Sequence, residues 1–136
     1  MAALIEFVVM GTPVSASGGK NNLKKWKKAV REAVQAVWKD APMEKNVRST
    51  MIHFHKGEIA PLDNDNMSKV IHDVLNGLVY MDDRQVIDTH AIQISLDAGD
   101  INLQQPSALL VETLALRRDF LYMRIDELPA AYVLPE

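Results

Sequence analysis

Residues 61–88 read PLDNDNMSKVIHDVLNGLVYMDDRQVID and carry two tight acidic pairs, one on each side of an apolar periodic run. The first pair is Asp63 and Asp65, and the second is Asp82 and Asp83. The apolar residues between the pairs are Val70, Ile71, Val74, Leu75 and Leu78. Their i, i+3, i+4 spacing is typical of a helix with one buried side. The stretch therefore predicts a helix with carboxylates at both ends.

The opposite side of this predicted helix is polar. Asn66, Lys69, Asp73 and Asn76 also recur at helical spacing, so their side chains face one way. We expect the helix and the turn after it to bring the two acidic pairs into one neighbourhood. Carboxylates gathered around a lysine indicate a site for a hard divalent cation and a phosphate.

The acidic segment before the helix admits two interpretations. In an extended chain Asp63 and Asp65 project to the same side, with Cα atoms about 6.5–7 Å apart, which suits two carboxylates on one metal or a metal pair. Alternatively, the DNDN run is only a turn and a helix cap, with Asp65 or Asn66 as the capping residue. An EF-hand loop fits less well, because Ser68 and Val74 replace its glycine and its bidentate glutamate.

The stretch resembles the RusA family of Holliday junction resolvases, which are metal-dependent endonucleases common in phages and prophages. The resemblance rests on an ordered set of residues: Asp63, Asp65, Asn66, Lys69, Asp73, Leu75, Asn76, Gly77, Tyr80, Asp82, Asp83, Gln85 and Val86. It extends more loosely to an early strand that ends in residues 11–15 and to a basic helix around Trp26. Residues 117–136 are an unmatched tail.

The resemblance implies an endonuclease that cuts DNA four-way junctions in recombination and repair, acts as a homodimer and uses Mg²⁺ or Mn²⁺. The implied metal ligands are Asp63, Asp65 and Asp83. The implied catalytic residues are these three and Lys69, and the supporting residues are Asn66, Asp73 and Asp82. The ammonium of Lys69 would place a positive charge near the scissile phosphate or the attacking water. Asp73, four residues later, would orient the Lys69 side chain.

Two other classes of function stay open. One is a junction- or DNA-binding module that has lost turnover, against which the intact acidic motif argues. The other is a metal-binding structural protein, which would give no purpose to the basic residues of the early helix.

The charge distribution is uneven along the 136 residues. The net charge is −3, yet residues 1–56 hold ten Lys and Arg against four Asp and Glu, whereas residues 57–136 hold five against fourteen. The predicted DNA-contacting residues are Lys20, Lys24, Lys27, Lys28 and Arg31. A solvated helix face is the alternative explanation for such a run. Trp26 and Trp38 share the apolar face of the same helix, so we expect them in the core.

The remaining chain predicts an α/β fold in one domain, residues 1–136. The predicted elements are a strand over residues 3–10, a helix over 23–41, a strand over 47–55, the helix of the acidic motif, and strands over 85–97 and 109–116. This order of strand, helix, strand, helix, strand, strand indicates a mixed four-stranded sheet covered by two helices. The tail could dock through Phe120, Leu121 and Ile125, with an irregular end.

Histidines on two predicted strands are further candidates. His53 and His55 share one strand face, but the chain has no cysteine and no H-E-x-x-H pattern, so zinc is disfavoured. Asp88 and His90 would be either a supporting pair for the site or exposed polar residues at a strand end. Without cysteine, a signal peptide or an apolar run long enough for a membrane span, we expect a cytoplasmic protein.

Overall fold

The computed structural model of the protein describes residues 3–135. Its strands are β1 (Ile5–Met10), β2 (Val47–His55), β3 (Val86–Ser95) and β4 (Phe120–Glu127). Its helices are α1 (Lys20–Val37), α2 (Asn64–Leu75) and α3 (Ala108–Leu114), and a 3₁₀ turn spans Asp83–Gln85. Across residues 3–135, none of the helices combines the length and the apolar character needed to cross a membrane.

The four strands form one mixed sheet in the order β1-β4-β2-β3. β4 is antiparallel to both of its neighbours, whereas β2 and β3 are parallel. The predicted α/β class and mixed four-stranded sheet are therefore confirmed. β1 and β2 run in the same direction. The helices that follow them, α1 and α2, therefore begin at the same end of the strands.

The main core lies between the sheet and the helices α1 and α2. Trp26 and Val30 of α1 and Met67 and Ile71 of α2 are buried there against Met51 and other inward residues of the sheet. Alternation along β2 sends the remaining side chains to the opposite face. There, Phe54 stacks on Phe120 with ring centroids 4.7 Å apart, and α3 contributes the buried Leu110.

The predicted strand over residues 109–116 is wrong, because this segment forms α3. Ser107 caps the helix by accepting a hydrogen bond from the Leu110 amide at 3.2 Å. A short apolar run does not by itself distinguish a strand from a helix that is buried on one side. The sheet is consequently covered by three helices rather than two.

The fourth strand lies instead in the segment predicted to be a tail. Residues 120–127 form β4, which pairs with β1 on one side and β2 on the other. Leu121 and Ile125 face the main core, whereas Phe120 faces the second cluster. These three residues are part of the central sheet and not a docking surface. The irregular end expected here is limited to the residues after Glu127.

The first helix begins and ends earlier than predicted. It starts at Lys20 and stops at Val37, not at residues 23 and 41, while β2 has its predicted bounds. Trp26 is buried, and Trp38 is partly buried against the core, so the prediction that both are core residues is confirmed.

Candidate active site

The first acidic pair lies at the N-terminal end of α2. Asp63 caps the helix: its carboxylate accepts the Asn66 backbone amide at 2.8 Å and the Asn66 side-chain amide at 3.2 Å. A helix cap therefore does form in this run, but the cap is Asp63 rather than Asp65 or Asn66. Asp65 lies in the first helical turn. The extended arrangement of Asp63 and Asp65 is therefore wrong.

One face of α2 then presents Asp65, Lys69 and Asp73 at successive turns. The Lys69 ammonium lies 3.6 Å from the Asp73 carboxylate, so the predicted contact between these two residues is confirmed. The Lys69 side chain is 66% exposed, and exposed pairs of this kind add little stability. The pair therefore matters mainly because it fixes the direction of the ammonium.

An exposed glycine and a buried tyrosine shape the turn between α2 and the second acidic pair. Gly77 has φ +85°, a conformation that favours glycine after a helix, and its amide donates to the Tyr80 carbonyl at 2.7 Å. The Tyr80 side chain is fully buried, and its hydroxyl donates to the His72 carbonyl at 3.3 Å. Two residues of the recognised motif therefore serve the geometry of the turn.

The second acidic pair divides into two roles. Asp82 caps the 3₁₀ turn by accepting the Arg84 amide at 2.8 Å, and it also accepts from the Arg84 guanidinium at 3.0 Å. These hydrogen bonds from Arg84 lower the pKa of Asp82 to about 2. Asp83 forms no ion pair among residues 3–135. Since Arg84 already compensates the charge of Asp82, Asp83 is the better candidate ligand of the two.

Gln85 holds this turn against the rest of the molecule. Its side-chain amide donates to the carbonyls of Met43 at 2.8 Å and Lys45 at 2.9 Å. Its side-chain oxygen accepts the amides of Met81 and Asp82. The spacing of Asp82 and Gln85 in the motif therefore forms a capping box, and Gln85 also ties the turn to the segment before β2.

His72 is a partly buried residue of the site that sequence reasoning did not single out. Its ring lies 2.9 Å from the hydroxyl of Ser49 on β2. Burial lowers the pKa of His72, while the negative charges of Asp83 and Asp73 act in the opposite direction. Both carboxylates therefore lie near this ring. Nothing in the sequence distinguishes His72 from the polar face of α2, because its partner comes from a distant strand.

The two acidic pairs lie at opposite ends of α2. The loop before α2 contacts β3 near its C-terminal end, where the Gln93 side-chain amide donates to the Leu62 carbonyl at 3.1 Å. Asp83 lies at the other end of β3, in the turn just before its first residue. Across the described residues, 3–135, no three His, Cys, Asp or Glu side chains are grouped so that they could hold a metal ion. The expected single neighbourhood of both pairs does not form within one chain.

The predicted DNA-contacting residues separate into a groove and its surroundings. Lys20, Lys24, Lys27 and Arg31, together with Leu23, line a surface groove of about 380 Å³ along α1. Lys28 is not part of this lining and lies 3.9 Å from Glu32 on the helix surface. We call the four basic residues and Leu23 the basic groove.

The basic groove lies on the side of α1 that faces α2. Trp38 is seven residues, or two helical turns, beyond Arg31, so the two residues lie on one line of the helix. Trp38 lines a second cavity together with Leu78, which follows α2. Since α1 and α2 also begin at the same end of the strands, Lys20 of the groove and Asp65 of α2 lie toward the same end of the sheet.

The paired histidines of β2 support the loop before α2. His53 and His55 are both buried, with ring centroids 5.4 Å apart. The His53 Nδ1 lies 2.8 Å from the Gln93 side-chain oxygen, and Gln93 in turn binds the Leu62 carbonyl. Burial lowers the pKa of His53, which favours the neutral ring. These contacts indicate a structural role close to the acidic pair.

Asp88 and His90 fall on the sheet face opposite α2. The Asp88 carboxylate lies 2.6 Å from the Arg48 guanidinium and 2.9 Å from the His90 ring. The Asp88 side chain is only 18% exposed. Asp88 is therefore not an exposed strand-end residue, whereas the His90 side chain is half exposed. Asp88 forms an ion pair with Arg48 of β2.

The family model of "Endodeoxyribonuclease RusA" matches residues 16–104. This match covers more than half of the chain and contains both acidic pairs, α2 and the basic groove. The chain belongs to the RusA endodeoxyribonuclease family. No curated protein matches the chain.

Proposed function

We propose that the protein is a metal-dependent endodeoxyribonuclease that resolves DNA four-way junctions. The observation that carries this proposal is the placement of Asp65 and Lys69 on one exposed face of α2, in a chain whose neighbouring helix α1 carries a groove lined by four basic residues. Membership of the RusA family supports the same substrate class.

The donor atoms at the start of α2 suit a hard cation. Asp63 and Asp65 supply carboxylate oxygens, and Asn66 supplies an amide oxygen within one turn. Mg²⁺ in proteins is commonly held by one or two carboxylates together with water and substrate phosphate. We propose that Asp63 and Asp65 hold Mg²⁺ or Mn²⁺ here. When bound, such an ion activates water and stabilises charge on the phosphate oxygens.

The protein's own residues then bind and orient the DNA. The ammonium of Lys69 is directed by Asp73, so it can stabilise the negative charge that develops on the phosphate during hydrolysis. The basic groove would hold backbone phosphates, because Lys and Arg contacts to phosphate position a duplex without reading its sequence. This division suits an enzyme that selects DNA structure.

A cleavage assay with a labelled four-way junction and a linear duplex of the same arm sequence tests the proposal. We expect cutting of the junction with Mg²⁺, none with a chelator, and little cutting of the duplex. Binding of the junction without cutting in Mg²⁺ or Mn²⁺ would instead identify a binding module. If the protein neither bound nor cut the junction, the four-way junction would be excluded as its substrate.

A further inference from the structure

The loop between β2 and α2, residues 56–62, presents an apolar side chain close to the first acidic pair. Ile59 is 87% exposed, more than any other exposed large apolar side chain of residues 3–127. It lies four residues before Asp63, so the two Cα atoms are at most about 14 Å apart. Single exposed apolar residues are common on proteins, but this one lies in the loop that leads directly into the proposed catalytic site. We call residues 56–62 the lead-in loop.

Both ends of the lead-in loop are fixed to the sheet. The Gly57 amide donates to the Asp97 carboxylate at 2.6 Å, and the Gly57 carbonyl accepts from the Ser95 hydroxyl at 2.6 Å. At the other end of the loop, the Leu62 carbonyl accepts from the Gln93 side-chain amide at 3.1 Å. The four residues between these two anchors therefore stand on a fixed base.

A third contact ties the lead-in loop to the segment before α1. The Asp119 carboxylate accepts the Lys56 amide at 3.1 Å and the Thr12 hydroxyl at 3.3 Å. Thr12 belongs to the loop between β1 and α1, and α1 begins with Lys20 of the basic groove. The lead-in loop, the start of the basic groove and the first acidic pair therefore lie toward the same end of the sheet.

The charge around the lead-in loop does not suit phosphate binding. Residues 57–68 contain three carboxylates, those of Glu58, Asp63 and Asp65, and no lysine or arginine. Negative charge repels backbone phosphates, so the tip of the loop favours contact with bases. In a continuous duplex, stacking covers the faces of the bases. At a branch point the stack is interrupted, and an apolar side chain can contact the exposed face of a base pair.

We propose that Ile59 is a wedge that inserts at the branch point of a four-way junction and contacts the unstacked base pairs there. This inference rests on the proposed nuclease function. Isoleucine is among the apolar residues that proteins insert between base steps. The free-energy cost of unstacking is smallest where pairing and stacking are already disturbed, so the wedge favours a branch point over a linear duplex. The basic groove then binds the backbone of either DNA, whereas Ile59 selects the junction.

A junction with 2-aminopurine at the branch point tests the wedge without cleavage, because the fluorescence of this base rises when it is unstacked. With chelator and saturating wild-type protein, the fluorescence should rise. Ile59→Ser at saturation should give little rise, whereas Ile59→Leu should keep most of it, because leucine retains the apolar volume. Val111→Ser is the matched control and should behave like the wild type. Val111 is 49% exposed on α3, which covers the other face of the sheet.

Binding affinities give a second measure of the same contact. Ile59→Ser should lower the ratio of junction affinity to duplex affinity about tenfold, because one isoleucine side chain no longer leaves water on binding. Affinity for a linear duplex should not change, since the duplex offers no exposed base face to the wedge. Thermal unfolding of the variant should match that of the wild type, because the side chain makes little contact with the fold.

The outcomes separate the wedge from the nuclease function. A full fluorescence rise in Ile59→Ser would overturn the wedge and leave the nuclease function standing. Opening of the junction that depends on Ile59, without cutting in Mg²⁺ or Mn²⁺, would support the wedge and reject the nuclease function. If the wild-type protein bound no junction, both would fail. Light scattering tests the remaining explanation: a lower mass for Ile59→Ser than for the wild type would assign Ile59 to a contact between copies of the chain and overturn the wedge.

Discussion

The two ends of α2 use an acidic pair in the same way but leave it in different electrostatic states. At each end one carboxylate caps a helical turn, Asp63 for α2 and Asp82 for the 3₁₀ turn. The capping carboxylate at the first end accepts only amides, whereas Asp82 is also bound by the Arg84 guanidinium. Two adjacent aspartates therefore need not both be metal ligands. The first end of α2 keeps more carboxylate charge available for a metal.

The largest expected effect is on the rate of junction cutting, and it should distinguish Asp83 from Asp82. Asp65→Asn and Asp83→Asn should each slow the single-turnover rate of junction cutting about 10²–10³-fold, because each removes charge that holds the metal. This corresponds to an increase of several kcal/mol in the activation free energy. Junction binding should stay equal or become tighter. Asp82→Asn is the matched control and should change the rate far less. A larger loss for Asp82→Asn than for Asp83→Asn would reverse the assignment at this end.

Lys69 tests the face of α2 that lies between the two pairs. Lys69→Ala should cost about 2.7–4 kcal/mol in the rate of cutting, the range for losing one preorganised electrostatic donor. Metal affinity should be retained, since an ammonium is not a ligand. Lys39→Ala, at an exposed position beyond α1, is the control. A parallel fall in Mn²⁺ affinity for Lys69→Ala would indicate that the residue maintains the site's structure instead.

Junction binding should depend on salt through the residues of the basic groove but not through Lys28, which lies outside it. Each phosphate contact contributes a slope of roughly −0.9 in log K against log salt on duplex arms. Lys24→Gln combined with Arg31→Gln should flatten that slope by about 2 units and weaken junction binding. Lys28→Gln should have little effect, because Lys28 lies outside the groove lining. If Lys28→Gln flattened the salt slope as much as the double variant did, the groove would be excluded as the main contact surface.

The smallest effect concerns the cap at the first end. Asp63→Ala should lower the free energy of unfolding by about 1 kcal/mol, because the Asn66 amide loses its acceptor. Asp63→Asn keeps a good capping group, so it should preserve stability while reducing Mn²⁺ affinity. Urea unfolding and Mn²⁺ titration of both variants measure these two roles. Equal Mn²⁺ affinity in Asp63→Asn and wild-type protein would leave Asp63 as a cap only.

The sequence allowed most of the architecture to be predicted, but not the distance between the two acidic pairs. The stripes on α1 and α2 follow helical periodicity, and β2 has clear apolar and turn boundaries, so these elements were predicted well. α3 and β4 were wrong because short apolar runs have no decisive period. β4 is buried on both faces, and only its partners in β1 and β2 reveal it as the central strand.

The distance between the acidic pairs could not be read from residue order. Twenty residues separate Asp63 from Asp83, a span that a hairpin could close but that the helix α2 extends. The parallel pairing of β2 with β3 decides between these outcomes, and it depends on contacts over long sequence separations. Likewise, the role of Lys28 depended on whether its side chain turned toward the groove or toward Glu32.

Mapping the cuts in a four-way junction is the most direct test of the central claim, that the protein is a junction-resolving nuclease of the RusA family. Each of the four strands is labelled in turn, and the products are resolved on a denaturing gel after reaction with Mg²⁺. We expect cuts at symmetry-related positions in two opposing strands, no cuts with chelator, and cutting that is about 10²–10³-fold slower in Asp65→Asn. Cutting at the wild-type rate in Asp65→Asn, or cutting that is equally efficient on a linear duplex, would contradict this claim.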